Sequence, residues 1–249
     1  MIENPLFYPI AVLAVLIVGV SKSGFGGGLG VLAVPLMSLI VPPLRAAAIL
    51  LPLLVVMDGF TVWHYRKSWD KRNLLILLPA AILGIVLGSL FFKDLSDAHI
   101  RIMVGILAVL FVMNYFIKPG TKVHHNSKVF SGFFWGTVAG FTSFGVHAGG
   151  PPVNMYLLPQ RLPKSIFVGT TVVFFTIVNL LKILPYALLG QFKPETLLTS
   201  LVLAPLAPLG VWLGVKLHHR IREQLFYTLC YLFLLVTGVK LLYDGFNGL

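Results

Sequence analysis

Charge is scarce in this chain. Only 11% of its 249 residues are Asp, Glu, Lys or Arg, where a soluble domain carries about 25%. Acids are scarcest, eight against nineteen Lys and Arg. A water-soluble fold would leave too much apolar surface uncovered, so an ordinary soluble domain is excluded. Cysteine occurs once, as Cys230 inside an apolar run. That excludes an intrachain disulfide and any thiol pair for zinc or redox chemistry, and Cys230 reads as a small buried apolar residue. Catalytic signatures are missing too. There is no Gly-x-Ser-x-Gly, no His-Glu-x-x-His, no paired acids on one helix face, and no Gly-Lys-Ser/Thr after a glycine-rich stretch. The expectation is that the chain is not an enzyme and uses neither cofactor nor metal. His124-His125 and His218-His219, read as loop residues, find no further ligand set. The apolar start carries Glu3, no leading Lys or Arg and no small-residue cleavage signature, so it reads as a retained segment.

What is abundant is apolar sequence: 57% of residues are hydrophobic and the mean hydropathy is +0.92. A spanning helix needs about 20 apolar residues. Six segments approach that length: 46–64, 74–92, 100–117, 165–189, 197–217 and 224–243. The net charge of +11 sits in short loops between these runs, as with Arg66, Lys67, Lys71 and Arg72 in one and Lys118, Lys122 and Lys128 in another. That is the positive-inside pattern of a membrane protein rather than a nucleic-acid surface, so no nucleic-acid partner is expected.

Two regions are apolar but interrupted. Residues 6–41 are split at Ser21–Gly30 and residues 130–159 at Ser143–Pro152. A shift of 119 places Phe25-Gly26 on Phe144-Gly145 and Arg45 on Lys164. Further on, a shift of 126 places Pro79, Gly84 and Gly88 on Pro205, Gly210 and Gly214. The chain reads as a tandem duplication: a first transmembrane repeat at 1–117, a cytoplasmic linker at 118–129 and a second repeat at 130–249. Loop charge changes sign preference between the halves. Loop 65–73 is net +3 and its counterpart 190–196 is neutral, whereas 93–99 is negative and 216–223 positive. The fold class expected is an all-α integral membrane protein of two inverted repeats, each a broken helical hairpin plus three transmembrane helices. Both termini are expected outside. Glycines spaced by four (Gly84/Gly88, Gly210/Gly214, Gly132/Gly136/Gly140) are expected to let helices approach closely.

The candidate site residues lie at the breaks. Five glycines fall within Gly24–Gly30. Irregular backbone at membrane depth is tolerated where it is buried or lines a cavity, and the start of a following half-helix presents N–H groups that suit an anion. Lys22, Ser23, Gly24, Phe25, Gly26 and Gly27 in the first break, and Ser143, Phe144, Gly145, His147, Gly149 and Asn154 in the second, are the substrate-binding candidates. Pro151 and Pro152 are read as interrupting a helix there. Lys22 is the preferred anion contact. His147 is read either as an anion ligand and proton relay or as a neutral group bonded to freed backbone. Lys22, Asp58 and Lys182 are the ionisable groups inside apolar segments, where each needs a partner or a pathway. Asp58 and Lys182 occupy corresponding spans, either as a charge pair or with Asp58 as a coupling carboxylate. Arg45 and Lys164 are candidate gates, one on each side, or interfacial anchors.

The stretches Ser21–Leu36 and Phe141–Tyr156 together resemble the TauE/SafE family, also called the sulfite exporter or TSUP family. Ser-Gly-Phe-Gly-Gly-Gly-Leu-Gly in the first half and Gly-Phe-Thr-Ser-Phe-Gly-Val-His-Ala-Gly-Gly-Pro-Pro in the second carry the likeness. Gly190-Gln191-Phe192 and the Pro-x4-Gly-x3-Gly elements at 79–88 and 205–214 extend it over nearly the whole chain. The resemblance implies a secondary transporter in a bacterial inner membrane that exports sulfite or a small organosulfur anion such as sulfoacetate. Its substrate would sit at the two glycine-rich breaks. Proton or cation coupling and a homodimer are further expectations. A passive anion channel and a non-transporting membrane scaffold are the alternatives from other classes.

Overall fold

The computed structural model describes residues 2, 4–91, 97–117 and 128–248. Residues 118–127 of the linker 118–129, with His124-His125, lie outside them, as do residues 92–96 at the loop 93–99. All regular secondary structure among the described residues is helical. An apolar solvent leaves the backbone that choice, because a helix satisfies its own N–H and C=O groups. The helices are α1 (Phe7–Phe25), α2 (Ala33–Met37), α3 (Pro43–Tyr65), α4 (Lys71–Phe91), α5 (Asp97–Ile117) and α6 (Val129–Val146). They continue with α7 (Gly150–Leu157), α8 (Lys164–Leu188), α9 (Pro194–Leu203), α10 (Leu206–Arg220) and α11 (Glu223–Phe246).

Five helices are long and apolar enough to cross a bilayer: α1, α3, α4, α8 and α11. The predicted spans 46–64, 74–92, 165–189 and 224–243 fall on four of these, and 100–117 falls on α5. The predicted span 197–217 is two helices, α9 and α10, bent by 45°. Pro205 and Pro208 lie at this joint and have no N–H to continue the ladder.

The two hairpins are unequal. The 19 residues of α1 reach about 28 Å, while its return arm is a 3-10 turn (Gly28–Leu32) followed by the five residues of α2. The second hairpin pairs the 18 residues of α6 with the eight of α7. Each break therefore falls later than the sequence suggests. Lys22, Ser23, Gly24 and Phe25 belong to the last turn or so of α1, and Ser143, Phe144 and Gly145 to that of α6. Pro151 and Pro152 open α7 instead of interrupting a helix, since the first turn needs no N–H from them.

Both long arms stop by the same cap. At the end of α1, Gly26 is left-handed (φ 67°), and the N–H groups of Gly26 and Gly27 both reach the Ser21 carbonyl. At the end of α6, His147 is left-handed (φ 54°), and the N–H groups of His147 and Ala148 both reach the Thr142 carbonyl. The structural register between the breaks is thus 121 residues, not 119. Matching Phe-Gly to Phe-Gly misplaces it by two, because the left-handed position is Gly in one half and His in the other. The same 121 relates Pro42 to Pro163, which precede α3 and α8, and Tyr65 to Tyr186, which clamp the broken helices. Tyr65 donates to the Ser23 carbonyl and Tyr186 to the Phe144 carbonyl, each at 2.7 Å.

Packing is reciprocal. α1 lies on α10 and α6 on α4, while α3 packs on α8 and α5 on α11. The contacts are made through small residues. A Cβ on Gly19 would stand 2.8 Å from the Gly210 Cα, and one on Gly24 2.9 Å from the Gly214 carbonyl oxygen. On the α4–α6 contact, a Cβ on Gly136 would stand 2.9 Å from the Leu77 carbonyl, and Gly84 and Gly140 are more tightly confined still. Backbones meet where water gives no apolar driving force, so dispersion and shape hold the helices together. His218 and His219 are helical, on α10, and not loop residues. His218 is buried and joined to the Gly24 carbonyl at 3.1 Å.

Candidate functional site: a charged cavity between the two breaks

The ends of α1 and α6, the starts of both return arms, and the middles of α3 and α8 surround a cavity of about 50 Å³. Two larger clefts are lined almost wholly by aliphatic and aromatic side chains and offer nothing to a polar ligand. The polar groups of the small cavity are Lys22, Ser143, His147, Asn179 and Lys182, with Gly27, Gly30 and Gly150 supplying bare backbone.

Lys22 does not face the cavity as a free cation. Its Nζ lies 2.6 Å from Asp58 Oδ1, and both side chains are buried. The same carboxylate accepts from Thr176 Oγ1 at 2.7 Å and, through Oδ2, from Asn179 Nδ2 at 2.8 Å. Asp58 is thereby saturated by one cation and two neutral donors, which is what a buried carboxylate requires. The expected pair of Asp58 with Lys182 does not form.

Lys182 is held differently. Its Nζ donates to the Ser143 carbonyl at 3.1 Å, to Ser143 Oγ at 3.0 Å and to His147 Nδ1 at 2.8 Å. Three acceptors are placed to match the three donors of an ammonium group. Among the described residues no carboxylate lies within 4 Å of it. With His147 Nδ1 accepting, its Nε2 carries the proton and donates to the Ala47 carbonyl at 3.0 Å, which fixes a neutral ring. His147 holds this position at a backbone angle that non-glycine residues avoid. Tyr186 stacks on it with centroids 6.2 Å apart. Two lysines and an imidazole thus line the cavity, with the Asp58 carboxylate paired to Lys22 beside it.

The remaining sequence candidates divide. Gly27 lines the cavity, and Gly26 is packed against Phe167. Ser23, Gly24 and Phe25 turn away from it. Ser23 Oγ bonds the Gly19 and Val211 carbonyls, Gly24 abuts Gly214, and Phe25 stacks on Phe226. Phe144 is buried edge-on against Tyr186. Gly149 is pressed against the Ala139 carbonyl of α6, and Gly145 has open space beside it. Asn154 is fully buried beside Gly28, with neither amide atom hydrogen-bonded among the described residues. Arg45 and Lys164 do not join the cavity. Arg45 pairs with Glu195 at 2.6 Å on the surface, while Lys164 donates to the carbonyls of His218 (2.8 Å) and Ile221 (2.6 Å) and so caps α10.

Sequence reasoning missed Asn179, Thr176 and the two tyrosines. Asn179 stands 121 residues after Asp58, so the correct register would have singled it out as the partner position of a known acid.

No curated protein and no solved structure matches the chain. A family model described as "Sulfite exporter TauE/SafE" matches residues 11–241. With its multi-pass apolar helices, the chain belongs to the TauE/SafE sulfite exporter family of membrane transporters.

Proposed function

We propose that this protein is a secondary transporter that exports sulfite or a related small organosulfur anion across a bacterial inner membrane. The observation that carries the reading is Lys182, a buried lysine with no carboxylate partner among the described residues, set on a small cavity between the two helix breaks. Such a charge is costly in a membrane unless a ligand shares it. In the free protein three lone pairs hold it, and an oxyanion would add the missing negative charge. Glycine backbone from both breaks lines the same space.

The reciprocal packing of α1 with α10 and α6 with α4 supports two repeats related by symmetry. The exchange of loop charge between halves supports their inversion, with both termini outside. Rocking of one half on the other would then expose the cavity to each side in turn. His147 and Asp58, both bonded to cavity cations, are the candidates for proton coupling. A homodimer belongs to the same proposal.

Sulfite uptake into proteoliposomes, with and without a pH gradient, tests the reading. Saturable flux that responds to the gradient and disappears in Lys182→Gln supports it. Flux that ignores the gradient and never saturates makes the protein a passive channel. No flux of any anion from folded protein overturns transport in favour of a scaffold.

A further inference from the structure

The fixed charges of the cavity can be counted. Lys22 and Asp58 cancel as a direct ion pair at 2.6 Å. His147 is neutral by its two hydrogen bonds, accepting at Nδ1 and donating from Nε2. Lys182 alone is left, and as the ammonium group its three acceptors suit it contributes one positive charge. No other ionisable side chain lines the cavity among the described residues. The surroundings are apolar, with Val18, Leu50, Leu54 and Phe175 completing the wall. In such surroundings an uncompensated charge is felt strongly, because little solvent screens it.

Size counts as well. The space is small, about 50 Å³, which favours a compact ligand. On the transport reading above, we infer that the ligand of this cavity is a monovalent, compact anion and that the loaded site is electrically neutral. A hydrogen-sulfite-like monoanion fits this description. A divalent organosulfonate does not, since it would leave one buried negative charge unmatched.

The neutral loaded site has a consequence for energetics. The empty cavity carries one charge as it reorients and the loaded cavity carries none, so the membrane potential acts on the empty return step. Exchange of one monoanion for another is then insensitive to voltage, whereas net flux is not.

Calorimetric titration of the detergent-purified full chain with sodium methanesulfonate and sodium sulfate tests the charge count. The two anions are both tetrahedral, similar in size, and fixed in charge near neutral pH. Methanesulfonate should bind tighter by roughly tenfold or more, the low end of what one unmatched buried charge imposes. Ser143→Asp, which sets a carboxylate beside Lys182, should weaken methanesulfonate by a similar factor in protein that keeps its thermal transition. Equal or tighter binding of sulfate by the wild type overturns the inference whether or not the variant folds. So does unchanged methanesulfonate affinity in folded Ser143→Asp. Protein that carries sulfite but binds neither probe overturns it as well. No binding together with no sulfite flux instead overturns the transport reading beneath it.

Discussion

Asp58 and Asn179 occupy equivalent positions in α3 and α8, 121 residues apart, and they touch: Asn179 Nδ2 donates to Asp58 Oδ2 at 2.8 Å. One half supplies an acid where the other supplies its neutral isostere. The pair sits where α3 and α8 pack on each other. Two acids so close would repel, and two amides would leave Lys22 unmatched, so the asymmetry is required by the charge on α1.

Lys22 and Asp58 should therefore depend on each other. Asp58→Asn leaves a buried ammonium unpaired and should cost about 3–5 kcal/mol. Lys22→Met combined with Asp58→Asn should recover much of that loss. Denaturant unfolding in detergent measures both, and additive losses in the double variant would show that the pair is not coupled.

His147 should show the cost of its backbone angle. His147→Ala keeps a side chain at φ 54° and loses the bonds to Ala47 and Lys182. His147→Gly loses the same bonds but relieves the left-handed strain, so it should be more stable than the alanine variant by about 1 kcal/mol. Both should lower sulfite flux. Thermal unfolding compared between the two variants checks the first statement, and proteoliposome uptake checks the second.

The close helix contacts should be intolerant of a single methyl group. Gly140→Ala pushes a Cβ into the backbone of α4 at Ala81 and should destabilise by about 1–3 kcal/mol. Gly59→Ala, in the exposed interior of α3 with nothing within 4 Å, should be neutral or stabilising by about 0.5–1 kcal/mol. A thermal-shift comparison in one detergent is sufficient. A similar loss for both would refute backbone contact as the cause.

Lys164 and Arg45 should differ although sequence pairs them. Lys164 is part-buried and holds two carbonyls at the end of α10, so Lys164→Ala should cost about 1.5–3 kcal/mol. The surface pair of Arg45 with Glu195 should contribute no more than about 1 kcal/mol. Unfolding midpoints of the two alanine variants at low and at high salt separate them, because salt should move only the Arg45 difference.

Much of the fold is legible in the sequence because lipid imposes strict rules. Apolar length marks α3, α4, α8 and α11, and clustered cations mark the loops. The four-residue glycine spacings foretell where α1 meets α10 and α4 meets α6. Helix ends are less legible. Ser21, Lys22 and Ser23 read as a break, yet they continue α1, since Ser23 Oγ bonds the Gly19 carbonyl inside the helix. Pro205 and Pro208 sit within a run that hydropathy treats as one span, and hydropathy carries no record of missing N–H groups.

Composition and periodicity were enough to determine that this chain lives in a bilayer, that it is helical, and that two glycine-rich breaks interrupt it. These follow from the cost of unbonded backbone in hydrocarbon, which is a local matter. Only the tertiary structure decided which charge meets which. Lys22, Asp58 and Lys182 are equally conspicuous as intramembrane charges, and any pairing among them is consistent with the sequence. The meeting of α1, α3 and α8 brings Asp58 to Lys22, while α6 turns Ser143 and His147 toward Lys182. Electrostatic pairing depends on distances across elements far apart in the chain, and those distances are set when the helices pack.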